Sequence, residues 1–254
     1  MNEIQVQRPE GTNVTKAMIF AAGLGTRLKP FTDHHPKALA VVNGKTLLQR
    51  NIEYLASYGI TRIIVNAHHF AEQISAFIDQ NRFPGLRISL SYEKNQPLET
   101  GGGLKNASWF FEDDAEPFIV MNADILTNLN IHNLVADHYK NQPLVTLAIT
   151  NRKSSRSFLF NEQHILTGWR NNNTGEEKIA RSTNTNPLPA SFSCVHVIEP
   201  AIFPLIEQRG KFSIIDTYLL LAQKFNIKGF WHNDDMVVDV GKPESIVEAE
   251  QFFP

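Results

Sequence analysis

The sequence predicts a three-layer α/β/α fold with a mostly parallel central sheet, helices on both faces and a small antiparallel excursion. Three observations predict it. Short apolar runs alternate with amphipathic runs of helical period, in β-α-β-α order. The run Phe118-Ile119-Val120-Met121 is apolar at every position, as in a strand covered on both faces. A glycine-bearing loop directly follows the first apolar run, where open parallel sheets place their ligands.

The elements follow in order. Residues 17–22 read as a buried strand. Residues 46–58 read as a helix with Leu48, Ile52 and Leu55 on one face, ended by Gly59. Residues 62–66 form the next strand. Phe70, Ile74, Phe77 and Ile78 recur with helical spacing, and residues 86–92 make a third strand. A helix over 104–110, a fourth strand over 118–121, a helix over 129–139 and a strand over 144–150 complete the first half. Residues 151–189 are polar, with a turn at Asn171-Asn172-Asn173-Thr174-Gly175, and predict short antiparallel strands or an excursion over a cleft. A strand over 192–198, a helix marked by Ile215, Tyr218, Leu219 and Ala222, and a short strand over 236–240 follow. Pro243 opens a last helix over 243–251. Residues 1–16 read as a flexible polar tail and residues 17–254 as one domain.

Composition limits the functions. The 254 residues are 42% hydrophobic and include 17 Phe, enough for a sizeable core. A net charge of −2 supplies no field toward nucleic acid or membrane. No apolar run reaches bilayer length, and the first residues lack the apolar segment of a signal peptide. The single Cys194 excludes an internal disulfide and fits a reducing, cytoplasmic setting.

The segment AAGLGTRLKPFTDHHPK, residues 21–37, carries the chemistry. A strand ending in such a loop offers bare N–H groups and positive charge to phosphate. Gly23 and Gly25 allow close approach, Thr26 offers a hydroxyl, Arg27 a bidentate fork and Lys37 a point charge. The loop is not a dinucleotide fingerprint, because Leu28 occupies the third glycine position. Gly44-Lys45-Thr46 resembles the end of a Walker loop, but Leu39 stands where its first glycine belongs, so Lys45 reads as a turn residue. The pairs His34-His35 and His68-His69 lack further spaced ligands and read as ordinary polar or core residues.

Two carboxylates stand at strand ends. Asp124 follows the apolar strand over 118–121, and Asp239 lies within Val237-Val238-Asp239-Val240-Gly241. A carboxylate in such a setting is costly unless paired or metal-bound. Two of them facing a triphosphate suit Mg²⁺; a helix cap for Asp124 and a salt bridge for Asp239 are the alternatives. Glu99-Thr100-Gly101-Gly102-Gly103 adds three glycines at a helix start, as for a backbone approaching a flat base.

Together these elements resemble the sugar-1-phosphate nucleotidyltransferases. The matching motifs are AAGLGTRLKPFTDHHPKAL at 21–39, PLETGGG at 97–103, NAD at 122–124 and VVDVG at 237–241, in order over nearly the whole chain after Lys16. They look closest to the short branch of N-acetylmuramate-1-phosphate uridylyltransferases and similar guanylyltransferases. The resemblance implies a Rossmann-like nucleotide-diphospho-sugar transferase fold, here as one catalytic domain. It implies transfer of a nucleoside monophosphate from a nucleoside triphosphate to a sugar 1-phosphate with Mg²⁺. The backbone of Ala22, Gly23, Gly25 and Thr26 would cradle the triphosphate, with Arg27 on the leaving pyrophosphate. Lys37 would neutralise the phosphates at the reacting centre, and Gly101 and Gly102 would meet the base. Asp124 and Asp239 would hold Mg²⁺, while Glu99, Glu177 and Lys178 would meet the sugar or its phosphate. A homodimer is the general expectation for a soluble enzyme.

The chain departs from that pattern at several points. Ala40 stands where relatives often have proline, and Ala123 replaces the glycine before the metal carboxylate. Cys194 stands where the short branch has a glycine near the sugar, and the excursion over 169–181 is longer. Two other readings compete: a cytidylyltransferase for phosphocholine or another non-sugar phosphate, and a non-catalytic nucleotide-sugar sensor or regulatory subunit.

Overall fold

The computed structural model describes residues 14–113, 115–183 and 185–254. Strand β1 (Lys16–Phe20) leads into three short 3-10 turns and a small hairpin, β2 (Val41–Val42) and β3 (Lys45–Thr46). Then come α1 (Leu47–Ser57), β4 (Arg62–Ala67), α2 (Ala71–Gln80), β5 (Arg87–Tyr92) and α3 (Glu99–Asn106). Strands β6 (Phe118–Asn122) and β7 (Ile125–Thr127) precede α4 (Ile131–Asn141) and β8 (Val145–Thr150). The excursion comprises β9 (Arg156–Phe160), β10 (Leu166–Asn171) and β11 (Glu177–Ile179), and the long β12 (Leu188–Ile198) returns from it. Helix α5 (Ile214–Leu221), β13 (Ile227–Trp231), β14 (Val237–Asp239) and α6 (Pro243–Phe252) complete the chain.

The mostly parallel sheet is borne out. Strands β5, β4, β1 and β6 pair in parallel, β12 runs antiparallel beside β6, and β8 and β13 restore the parallel direction. The first part of β12 pairs with β9, so the antiparallel strands β9, β10 and β11 extend from the same sheet. Pleat alternation splits the buried strand residues between two cores. Ile19, Val65, Met121 and Val197 face α1, α2 and α4, while Met18, Ile64, Val120 and Leu147 face α3 and α5. Burying each such side chain contributes roughly 1.5–3 kcal/mol. A third cluster packs Leu28 of the glycine loop against Val238, Val240 and Ala249, tying that loop to β14 and α6.

Several details differ from the sequence reading. The fold starts before residue 17: Val14 and Lys16 are buried, and the Thr15 carbonyl accepts from the N–H groups of Thr61 and Arg62. Residues 1–13 of the expected tail lie outside the described residues. The segment after Asp124 forms β7, paired with β14, so Asp124 does not cap a helix there. Strand β13 escaped the sequence reading because Lys228 and Gly229 interrupt its apolar run; Gly229 is required where Ile149 crosses, since a Cβ would lie 2.4 Å from Ile149 Cδ1. Helix α3 begins at Glu99, so the glycines lie within its first turns.

Candidate functional site

The glycine loop leaves β1 beside the carboxyl end of β6. Gly25 adopts φ +61°, and a Cβ there would stand 2.9 Å from both Lys37 Cβ and Thr32 Cγ2. The Thr32 hydroxyl donates to the Gly25 carbonyl at 3.0 Å, and Leu28 N–H donates to the same oxygen at 2.8 Å. The three 3-10 turns thus fold the loop back until Lys37 crosses over Gly25. Gly23 differs: a Cβ there would meet nothing within 4 Å, so its small size leaves open space above the backbone. The N–H groups of Gly23, Leu24, Gly25 and Thr26 find no acceptor among the described residues. Such a row of free N–H groups attracts anionic oxygen.

The charged groups converge here. Lys37 pairs with the Asp124 carboxylate, and both side chains are mostly covered. Asp239 faces Arg27, with 3.8 Å between Arg27 Nη2 and Asp239 Oδ2. The two aspartates are neighbours across the β7–β14 ribbon, where Val240 N–H donates to the Asp124 carbonyl at 2.8 Å. Asp239 Oδ1 is buried with no hydrogen-bond partner. A buried carboxylate oxygen without a donor is costly, and a cation beside it would remove that cost. Two carboxylates are what Mg²⁺ takes from a protein when phosphate oxygens supply other positions, so the residues present fit that ion. Gly241 completes the arrangement: a Cβ there would stand 2.6 Å from Arg27 Nη2 and 2.7 Å from Asp239 Oδ1. Between loop and carboxylate lies a cavity of about 130 Å³, lined by Gly23, Lys37, Thr100, Asn122 and Asp124 among others.

The structure brings together Ala22, Gly23, Gly25, Thr26, Arg27, Lys37, Asp124 and Asp239. It places the remaining predicted residues elsewhere. Gly101 and Gly102 turn toward residues 210–212: their N–H groups donate to the Phe212 carbonyl at 3.0 and 3.2 Å. A Cβ on Gly101 would strike the Phe212 ring at 2.5 Å, and one on Gly102 would strike the Gly210 carbonyl at 2.3 Å. Their small size therefore serves packing within the chain, and Thr100 lines the cavity in their stead. Glu99 faces Lys211 at 3.5 Å. Glu177 is held by Arg170 at 2.6 Å, and Lys178 by Asp216 at 3.1 Å while lying over the Trp169 ring. All three are on the surface, engaged in ion pairs.

Sequence reasoning missed a buried support. Asn66 accepts from Ala21 N–H at 2.7 Å and donates to Glu93 Oε1 at 2.6 Å; Glu93 Oε2 accepts from Leu98 N–H at 2.7 Å. This bridge ties the loop's first residue to the start of α3. Burial raises the Glu93 carboxyl above its ordinary range, opposed by the Leu98 N–H and the Asn66 amide. The signal was two polar residues at the ends of apolar strands, where an unpaired side chain would be costly.

Other motifs resolve plainly. Gly44 and Asn43 make a left-handed turn between β2 and β3, and Lys45 pairs with Glu53 at 2.6 Å, as a turn residue would. Thr46 caps α1 by accepting from Gln49 N–H at 3.1 Å, worth about 1 kcal/mol. His35 contacts Gln73, and His68 contacts the Glu93 carbonyl. Cys194 adopts φ +57° where β12 shifts register against β8, a backbone state that glycine accepts more readily. Burial pushes its thiol up to about 12, and the carboxylates of Asp124 and Asp239 push the same way. The thiol is thus protonated and a poor nucleophile. Next to it, Ser193 Oγ lies 2.8 Å from His232 Nε2, and His232 Nδ1 lies 3.4 Å from Asp235. The shape suggests a nucleophile relay, but Ser193 is fully buried and meets no substrate.

Comparisons with known proteins agree with this geometry. The family described as "Nucleotidyl transferase" matches residues 16–159. The mannose-1-phosphate guanyltransferase beta-B of Xenopus laevis is 25% identical over 238 residues, 91% of this chain and 62% of that protein. The N-acetylmuramate alpha-1-phosphate uridylyltransferase of Caulobacter vibrioides is 41% identical over 110 residues, covering 42% of this chain and 45% of that protein. The chain therefore spans less than two thirds of the length of these relatives. Among solved structures, HddC from Yersinia pseudotuberculosis complexed with GMP-PN superposes with a TM-score of 0.76 at 23% identity, over 95% of this chain and 100% of that one. A UDP-glucose pyrophosphorylase complexed with UDP-glucose superposes with a TM-score of 0.74 at 17% identity, over 94% and 98%. Fold, loop, paired aspartates and the family match agree: the chain belongs to the nucleotidyl transferase family.

Proposed function

We propose that this protein transfers a nucleoside monophosphate from a nucleoside triphosphate to a sugar 1-phosphate, giving a nucleoside diphosphate sugar and pyrophosphate. The observation that carries this reading is the free N–H row at Gly23 to Thr26, facing Lys37, Asp124 and Asp239 across one cleft. A phosphate oxygen of the sugar 1-phosphate attacks the α-phosphorus in line. The bond from that phosphorus to the bridging oxygen breaks, and pyrophosphate leaves with the electron pair. The nucleophile is already ionised at neutral pH, so the site needs charge neutralisation and alignment, not a base.

The residues divide that work. Ala22, Gly23, Gly25 and Thr26 present their N–H groups to the triphosphate. Arg27 steadies the leaving pyrophosphate, and Lys37 offsets charge at the reacting phosphates. Asp124 and Asp239 would hold Mg²⁺, which would draw phosphate charge toward itself. Lys37 then exchanges its present partner, Asp124, for phosphate. In this reading Thr100 borders the nucleotide, and Gly101 and Gly102 set the position of its helix. The named sugar-phosphate transferases among the relatives support this class of acceptor. We place the reaction in the cytoplasm, in nucleotide-sugar supply for envelope polysaccharide; a homodimer remains the expected assembly. Among the described residues no helix is long and apolar enough to cross a membrane.

The test is pyrophosphate release with Mg²⁺, crossing UTP, dTTP, GTP and CTP with mannose, glucose, N-acetylglucosamine and N-acetylmuramate 1-phosphates and with phosphocholine. Release with a sugar 1-phosphate, abolished by EDTA, is the expected result. Release with phosphocholine alone would replace the acceptor class. Nucleotide binding without any turnover would overturn the reaction and favour a sensor.

A further inference from the structure

A second polar cavity, of about 370 Å³, opens where β8 ends and the excursion begins. Thr150, the last residue of β8, is 4% exposed, and its hydroxyl has no hydrogen-bond partner. Two residues on, Arg152 donates from Nη2 to the Phe192 carbonyl at 3.1 Å, but its Nε is buried and also without a partner. Both line this cavity, with Lys153, Arg170 and Asn172, and no carboxylate lines it. Arg170 already holds Glu177, so Arg152 and Lys153 supply the cavity's uncompensated charge. Buried donors left open in this way are costly and in native proteins usually meet water, an ion or a ligand.

The cavity adjoins the reaction centre. Strand β8 runs parallel to β6, with β12 between them, so Thr150 and Asn122 end on the same edge of the sheet. Cys194 of β12 stands between: Asp124, Asp239 and Lys37 act on its thiol, and so does Arg152. A ligand whose phosphate reached Lys37 could therefore extend toward Arg152. A guanidinium Nε–H, a hydroxyl and an ammonium together suit a carboxylate, by charge-assisted hydrogen bonds.

We propose that this cavity binds a carboxylate carried on the acceptor, so that the preferred substrate class is an acidic sugar 1-phosphate; the inference rests on the transfer reaction proposed above. Its test compares acceptors that differ by the carboxylate: N-acetylmuramate against N-acetylglucosamine 1-phosphate, and galacturonate against galactose 1-phosphate. The wild-type chain should favour the acidic member of at least one pair by tenfold or more in kcat/KM. Arg152→Met should shrink that ratio at least tenfold, chiefly through KM, and Thr150→Val, which keeps the shape, should shrink it several-fold. Equal rates within both pairs, or a ratio that survives Arg152→Met, would overturn the proposal while leaving the transfer reaction standing. Thermal shifts with each acceptor alone read the cavity independently of turnover. The acidic member should stabilise the wild type more than its neutral counterpart, and Arg152→Met should remove the difference. Turnover absent from every pair would refute the reaction, and equal thermal shifts would refute the cavity. A shift of the same size from free galacturonate or inorganic phosphate would show a free-anion site and overturn the acceptor assignment.

Discussion

Gly241→Ala separates the site's geometry from the stability of the fold. The added methyl would stand 2.6 Å from Arg27 Nη2 and 2.7 Å from Asp239 Oδ1, whereas ordinary contact begins at 3.4 Å. The two groups must therefore retreat by about 0.8 and 0.7 Å. Neither retreat disturbs the core. The Arg27 side chain is 66% exposed and can swing into water, and Asp239 can rotate about its own bonds. The φ of Gly241 lies outside the left-handed region, so alanine also restricts the unfolded chain, a gain of about 0.4–1 kcal/mol. The melting temperature should stay within about 4 °C of wild type. Turnover should not survive as well, since a misplacement near 1 Å in a phosphate-aligning group costs about 10²-fold. Steady-state pyrophosphate release and a thermal melt on the same preparation measure both quantities. The expected result is kcat/KM lower by roughly 30- to 100-fold, with more Mg²⁺ needed for half-maximal rate. A variant within threefold of wild type, with unchanged Mg²⁺ dependence, would refute the idea that Gly241 holds Arg27 and Asp239 in register.

Other outcomes follow from the same structure. Asp124→Asn and Asp239→Asn should each lower Mg²⁺-dependent turnover by about 10²-fold or more with circular dichroism unchanged; wild-type rates in both would remove the metal assignment. Gly102→Ala should lower urea stability by about 2–3 kcal/mol, because the rigid Gly210 carbonyl lies in the methyl's path; an unchanged midpoint would mean that this face of α3 is open. Burial depresses His196 to about 3 from an ordinary 6.5. The unfolded chain therefore takes up that proton first, and stability is full above pH 6.5 and declines as the pH falls toward 3. Between pH 7 and 4.5 the loss from this group is at most about 3 kcal/mol. His196→Gln, which can still bond the Tyr218 hydroxyl, should flatten the pH dependence of urea unfolding over that interval; an unflattened profile would place the acid sensitivity elsewhere.

The sheet was legible because its signal is local. Runs such as Phe118-Ile119-Val120-Met121 and the helical spacing of Leu48, Ile52 and Leu55 reflect burial that each element needs wherever it packs. The loop was legible because Gly23, Gly25, Arg27 and Lys37 lie close along the chain, as one phosphate cradle requires. The glycines of α3 misled for the opposite reason. A glycine announces a close approach without naming what approaches, and for Gly101 and Gly102 it is Phe212 and Gly210, more than a hundred residues away. The Asn66–Glu93 bridge and the orphaned hydroxyl of Thr150 were hidden in the same way, as isolated polar letters among apolar ones.

The sequence by itself determined the α/β class, the phosphate loop and the two carboxylates, because backbone geometry and residue chemistry fix these within a few neighbours. Only the tertiary structure decided which charges meet. It set Asp124 beside Asp239 through the β7–β14 ribbon and brought Arg27 to Asp239 across Gly241. It also sent Glu177 and Lys178 to surface ion pairs and left Arg152 unsatisfied at the end of β8. Such pairings depend on which strands lie side by side, and strand order is set by the packing of the whole sheet, which no single stretch of sequence contains.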